Sequence, residues 1–193
     1  MRRNERLVVA PSFYAFWTVT CLLDADGYLM QFVAAAILHE LGHAAAVLLM
    51  GGQIDQLVLY AAGACMKIHH RRGYLCDIFI TAAGPMAGFG AAVISAHMGC
   101  ISFAGVNFLL SVFNCLPILP LDGGCLVAYL LCLSPAGLRG CDVFRWISLA
   151  ESIGITLIGW YVWCRTGTNL ALLVIGMLLI AGNSSAIGQE RLV

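Results

Sequence analysis

The sequence predicts an all-α polytopic membrane protein: about six transmembrane helices, a broken fourth span and a short β-hairpin near the cytoplasmic face. Three observations predict it. Of 193 residues, 61% are hydrophobic and only 10% charged, against about 45–50% and about 25% in an ordinary soluble domain. Apolar residues fall into runs long enough for a bilayer-crossing helix, which takes roughly 20 residues. The basic residues then gather on one side of the map that those runs define.

Taken in order, the first span is expected at about 7–23. Arg2, Arg3 and Arg6 precede it, but no small-x-small cleavage site ends it before Asp24 and Asp26, so it reads as a retained span rather than a cleaved signal. The second is expected at about 28–50, where Gly51 and Gly52 supply the backbone freedom that a helix end requires. The segment that follows is too polar to span. Ile54, Gln56, Val58 and Tyr60 alternate with Asp55, Leu57 and Leu59, and Met66 and Ile68 continue beyond Gly63, which predicts a hairpin over about 54–68. A third span is expected at about 74–97. The fourth stretch, about 101–133, is interrupted by Pro117, Pro120, Gly123 and Gly124. The fifth and sixth are expected at about 144–164 and 169–187. No repeat, low-complexity segment or second domain is visible, so residues 1–193 read as a single membrane-embedded domain.

With a cytoplasmic N-terminus, six spans also place the loops 51–73 and 134–143 and the C-terminus inside. Arg2, Arg3, Arg6, Lys67, Arg71, Arg72, Arg139, Arg145 and Arg191 then lie on or beside the inner face, and Arg165 alone lies outside. That asymmetry is the one cytoplasmic loops show, and a five- or seven-span map would spoil it. The predicted location is therefore the cell membrane, multi-pass, with both termini cytoplasmic and lipid as the surrounding partner. The net charge of zero names no partner, and nothing in the chain points to nucleic acid. Nine cysteines are scattered without a C-x-x-C pair, which argues against a thiolate metal cluster or a disulfide framework.

The chemistry-bearing residues stand out against this apolar background. Within the second span lies His39-Glu40-Leu41-Gly42-His43, an H-E-x-x-H pattern. Residues four apart share a helical face, so two imidazoles can hold one zinc ion while Glu40 reaches water beside it. Ala34, Ala35, Ala36, Ala44, Ala45 and Ala46 would let other helices approach closely. The alternative is a polar pair that only makes hydrogen bonds inside a bundle. Placing a carboxylate near mid-bilayer costs about 2.5–3.5 kcal/mol, which favours function.

A catalytic zinc needs a third protein ligand and one open position. His69 and His70 adjoin Arg71 and Arg72 and read as a solvated patch, and His97 falls at the far end of the third span. Asp122 is the better candidate, as the sole acidic residue of the fourth stretch. It sits in Asn114-Cys115-Leu116-Pro117-Ile118-Leu119-Pro120-Leu121-Asp122-Gly123-Gly124, where the prolines break a helix. Membranes tolerate such a break only where the backbone is buried in protein or faces water. Its plain alternative is a proline kink with an Asp helix cap.

The H-E-L-G-H helix followed by N-x-x-P-x-x-P-L-D-G-G resembles the site-2 proteases, the intramembrane zinc metalloproteases, over about residues 28–133. The short chain looks most like their sporulation-type branch, which matures a membrane-associated sigma factor precursor. The resemblance implies hydrolysis of peptide bonds in membrane-associated protein substrates, with an inhibitory membrane protein as a regulator. It implies one zinc ion held by His39, His43 and Asp122, and Glu40 as catalytic base. Asn114, with Pro117 and Pro120, would help to hold the substrate strand. Where the family often has G-P-x-x-N, this chain has Gly84-Pro85-Met86-Ala87-Gly88, so the asparagine's hydrogen bonds must be absent or supplied elsewhere. No PDZ or CBS module fits in the length. A zinc transporter and a catalytically inactive scaffold are the competing classes; the single histidine motif weighs against the first and the complete His, Glu, His, Asp set against the second.

Overall fold

A computed structural model describes residues 7–9, 11, 13–14, 17–18, 21, 27–60, 63–68, 73–135, 137–167 and 170–189. The chain divides into two compact units, Met1–Asn114 and Cys115–Val193. The first holds strand β1 (Leu7–Val9), helix α1 (Leu29–Leu49), strands β2 (Ile54–Tyr60) and β3 (Gly63–Ile68), and helices α2 (Tyr74–His97) and α3 (Ile101–Asn114). The second holds α4 (Asp122–Leu133), α5 (Gly137–Thr166) and α6 (Leu170–Gln189).

In the first unit, α1 ends as its glycines predict. Gly51 takes φ 67°, its N–H donates to the Leu48 carbonyl, and the Gly52 N–H reaches back to Val47, both at 2.8 Å. These two bonds satisfy carbonyls that a helix end leaves open. The expected hairpin is present: β2 and β3 pair antiparallel from Ile54↔Ile68 to Tyr60↔Gly63, with an irregularity between Ile54 and Gln56. β1 adds a third strand, parallel to β2 from Leu7↔Leu57 to Val9↔Leu59. The expected first span therefore cannot begin as helix at Leu7, although the described residues between 11 and 21 are helical; residues 10, 12, 15–16, 19–20 and 22–23 lie outside the described residues, as do His69 and His70.

Three described helices are long and apolar enough to cross a membrane: Leu29–Leu49, Tyr74–His97 and Arg139–Thr166. Shorter apolar helices cover Ile101–Asn114, Asp122–Leu133 and Leu170–Asn183. The fourth stretch is thus two helices, separated by the proline-bearing turn. α5 starts at Gly137, well before the apolar run at 144, so the expected loop 134–143 is mostly helix. An i,i+3 ion pair between Asp142 and Arg145 at 3.8 Å accompanies the extension; a helix continues through polar residues wherever they can be solvated.

Polarity runs inside out. Asn107, Ser111, Ser148, Ser152 and Asn183 are at most 1% exposed, whereas Leu49, Phe79, Met86, Trp146 and Leu157 are more than 60% exposed. Water would drive the opposite arrangement; in lipid, polar side chains find partners between helices and apolar ones face outward. On α5, exposed Trp146 stands near the start of the apolar run and Trp160, Tyr161 and Trp163 near its end, with the Arg165 guanidinium 5.6 Å from the Tyr161 ring centre. At 1.5 Å per residue these groups stand about 21–26 Å apart, close to an aromatic belt at each side of a hydrocarbon layer.

Candidate active site

On α1, Ala35, His39 and Val47 are buried and share one face with His43, at i, i+4, i+8 and i+12. That face packs on α2. A Cβ on Gly42 would lie 2.6 Å from the Ala83 carbonyl oxygen and 2.7 Å from the Ala87 Cβ, so the glycine inside the H-E-x-x-H pattern lets the two backbones touch. Of the alanines expected to admit neighbouring helices, Ala35 is fully buried, Ala36, Ala44 and Ala46 are half-buried, and Ala34 and Ala45 are exposed.

The two imidazoles meet through Nε2 atoms 3.1 Å apart, their rings nearly perpendicular at 81°. His43 Nδ1 donates to the Ile80 carbonyl of α2 at 2.8 Å. That bond fixes the tautomer and leaves Nε2 with its lone pair, the arrangement that metal-ligating histidines adopt. The pair also passes a geometric test. Nitrogens that far apart would suit two neighbouring ligand positions of one tetrahedral metal ion. Gly84 closes the site from behind, because a Cβ there would overlap His43 Nε2 itself. Glu40, half-buried, lies about a third of a turn from His39.

In the second unit, Asp122 opens α4. The cap position belongs to Leu121, with no side-chain cap bond, so the plain reading of Asp122 as a helix cap is not realised. Gly123 and Gly124 follow for a packing reason. A Cβ on Gly123 would overlap the Cys115 carbonyl, and one on Gly124 would lie 2.6 Å from the Leu119 nitrogen. The preceding turn, with a cis Leu119–Pro120 bond, thereby lies directly against the first turn of the helix that carries the carboxylate.

Asn114 is the last residue of α3, half-buried, and its Nδ2 donates to the Leu110 carbonyl at 3.0 Å. Pro117 and Pro120 are exposed. Pro117 lines a groove of about 330 Å³ with Leu116, Ile118, Glu151, Gly154, Ile155 and Ile158. His97 is exposed at the end of α2, as expected.

Sequence reading missed Glu151, a carboxylate inside α5, and the buried serines and asparagines. The available signal was the same for all of them: a polar residue inside an apolar span. One such group answers the missing asparagine. A Cβ on Gly88 would overlap Ser111 Oγ, and that hydroxyl donates to the Asn107 carbonyl at 2.8 Å. Asn107 is fully buried with Nδ2 on the Phe103 carbonyl at 2.8 Å. Polar atoms from α3 therefore occupy the space beside Gly88 that a longer side chain from α2 would take.

No protein-family model matches the chain, and no curated protein does. A solved structure does: the site-2 protease from Methanocaldococcus jannaschii, with a TM-score of 0.76 over 96% of this chain and 93% of that one, at 17% identity. The fold is that of a site-2 protease. At that identity the likeness speaks for the fold, and the chemistry rests on the residues themselves. Within the site-2 protease fold, H-E-L-G-H occupies α1, and Asp122 opens the helix that follows the broken stretch.

Proposed function

We propose that this chain is an intramembrane zinc metalloprotease, a metalloendopeptidase that hydrolyses peptide bonds of membrane-associated proteins. The observation that carries the reading is the His39–His43 pair, with Nε2 atoms 3.1 Å apart and the His43 tautomer set by the Ile80 carbonyl. The two imidazoles, with the Asp122 carboxylate that the sequence motif adds, make a donor set of the kind that zinc favours. When bound, zinc supplies a Lewis acid and lowers the pKa of water to about 7. Glu40 takes the proton from the attacking water and delivers it to the departing amine, acting as general base and then as general acid. His39 and His43 orient the metal, and Gly84 keeps the approach to His43 Nε2 clear.

A substrate helix hides its own peptide bonds and must unwind before attack. An extended segment can then add as a strand to a sheet edge. β1 already covers one edge of β2, so the outer edge of β3 is the one we assign to substrate. Asn114, Pro117 and Pro120 flank the scissile segment. On the sporulation-type resemblance, the substrate is a membrane-associated sigma factor precursor and the regulator an inhibitory membrane protein. The distribution of basic residues supports a cytoplasmic side for both termini.

The experiment is a membrane digest in cells carrying wild type or Glu40→Gln. Peptides that appear only with wild type identify substrates, while the variant keeps its zinc. A transporter or scaffold yields identical peptide sets. Prolines introduced along β3 should block cleavage at unchanged zinc content; persistent cleavage removes the strand-addition step.

A further inference from the structure

Helices α5 and α6 follow every residue given a chemical role above, yet they hold the turn that presents Asp122. The amide donors from Pro117 to Leu121 can be accounted for one by one. Pro117 and Pro120 have none. The Ile118 N–H bonds the Leu116 carbonyl and the Leu121 N–H the Ile118 carbonyl, each at 2.8 Å, so both are satisfied within the turn. Leu119, only 8% exposed, has no such partner there; its N–H donates to Ser148 Oγ of α5 at 2.7 Å. Asn183 Nδ2 of α6 donates to the same oxygen at 2.9 Å. Beside it, a Cβ on Gly182 would lie 2.6 Å from Pro120 Cγ, so α6 also touches the turn directly.

Ser148 and Asn183 are both 0% exposed, and the Asn183 Oδ1 has no hydrogen-bond partner among the described residues. Burying an unmatched amide oxygen is destabilising, a cost that a leucine kept for packing would avoid. The asparagine is therefore useful through its donor, and that donor points at Ser148. We propose that Ser148, oriented by Asn183, is a positioning residue for Asp122: by holding the Leu119 amide three residues upstream, it fixes where the carboxylate is presented to the metal. This rests on the metalloprotease reading above and adds the last two helices to the machinery that serves it.

The test uses the full chain in detergent, with zinc affinity from chelator competition and the visible spectrum of the cobalt-substituted protein. Ser148→Ala and Asn183→Ala are compared with Ser152→Ala. Ser152 is equally buried one turn along α5, but among the described residues its hydroxyl bonds only the Ser148 carbonyl of its own helix, at 2.8 Å. Partners beyond the direct ligands typically contribute 10–100-fold in metal affinity. The expected result is at least about a tenfold loss for Ser148→Ala, a smaller loss for Asn183→Ala, shifted cobalt bands in both, and Ser152→Ala within about twofold of wild type. Should Ser148→Ala fail to fold by circular dichroism, Asn183→Ala decides. Wild-type zinc affinity and cobalt spectrum in the folded variants overturn the proposal. His39→Ala separates the two levels: if it loses zinc while the other variants do not, only the positioning role fails; if it binds zinc like wild type, the metal reading fails and takes this proposal with it.

Discussion

The two units place their metal-binding candidates by opposite means. In the first, a regular helix does the placing: four-residue spacing alone brings His39 and His43 to one face, and one carbonyl from α2 orients the second ring. In the second, the backbone leaves the helix altogether. Asp122 follows a turn with two prolines, and its position depends on glycines in α4, a hydroxyl from α5 and an amide from α6. Periodicity is a local property and needs little support, whereas an irregular turn in an apolar surrounding must have each backbone donor satisfied by something specific. The imidazole side should therefore be sensitive to direct substitution and close packing, and the carboxylate side to remote polar groups.

The largest effect is expected at the helix. His39→Ala or His43→Ala should abolish both zinc retention and cleavage, while Glu40→Gln keeps zinc and lowers cleavage by about 10²–10⁴-fold, as loss of a general base does. Metal analysis beside a cleavage assay checks both. Next, Gly84→Ala should cost most of the zinc affinity, because its Cβ overlaps His43 Nε2, while Gly90→Ala on the same helix, with nothing within 4 Å, should be silent. Equal affinities would show that helix packing is not what keeps His43 in place. A smaller effect is expected at Gly88→Ala, where overlap with Ser111 Oγ should destabilise by about 1–3 kcal/mol. Adding Ser111→Ala removes that oxygen and leaves the Ser111 Cβ at an ordinary 3.5 Å, so the double variant should melt close to wild type. Smallest is Glu151→Gln: folding and zinc content unchanged, with a several-fold change in KM if the groove beside Pro117 contacts substrate.

Most of the first unit was legible in the sequence. The ends of α1 and α2 fall within a residue of the apolar runs, and the glycine pair closing α1 and the hairpin follow from backbone chemistry visible in one dimension. Less was legible in the second. The prolines showed that the helix breaks, but not that Ser148 and Asn183, far along the chain, complete the turn's hydrogen bonding. A serine in an apolar span carries no mark of which distant amide it will meet. β1 was misread for a related reason: Leu7–Val9 is apolar enough to continue a span, and only pairing with β2 makes it a strand. The start of α5 was placed late because an apolar run marks lipid contact rather than helix.

X-ray absorption at the zinc edge, recorded on wild type and Asp122→Ala, tests the three-residue metal site most directly. The expected result is about two imidazole nitrogens at about 2.0–2.1 Å with light oxygen scatterers and no sulfur at about 2.3 Å, and a changed oxygen shell in the variant. A sulfur shell, or two superimposable spectra, would contradict it.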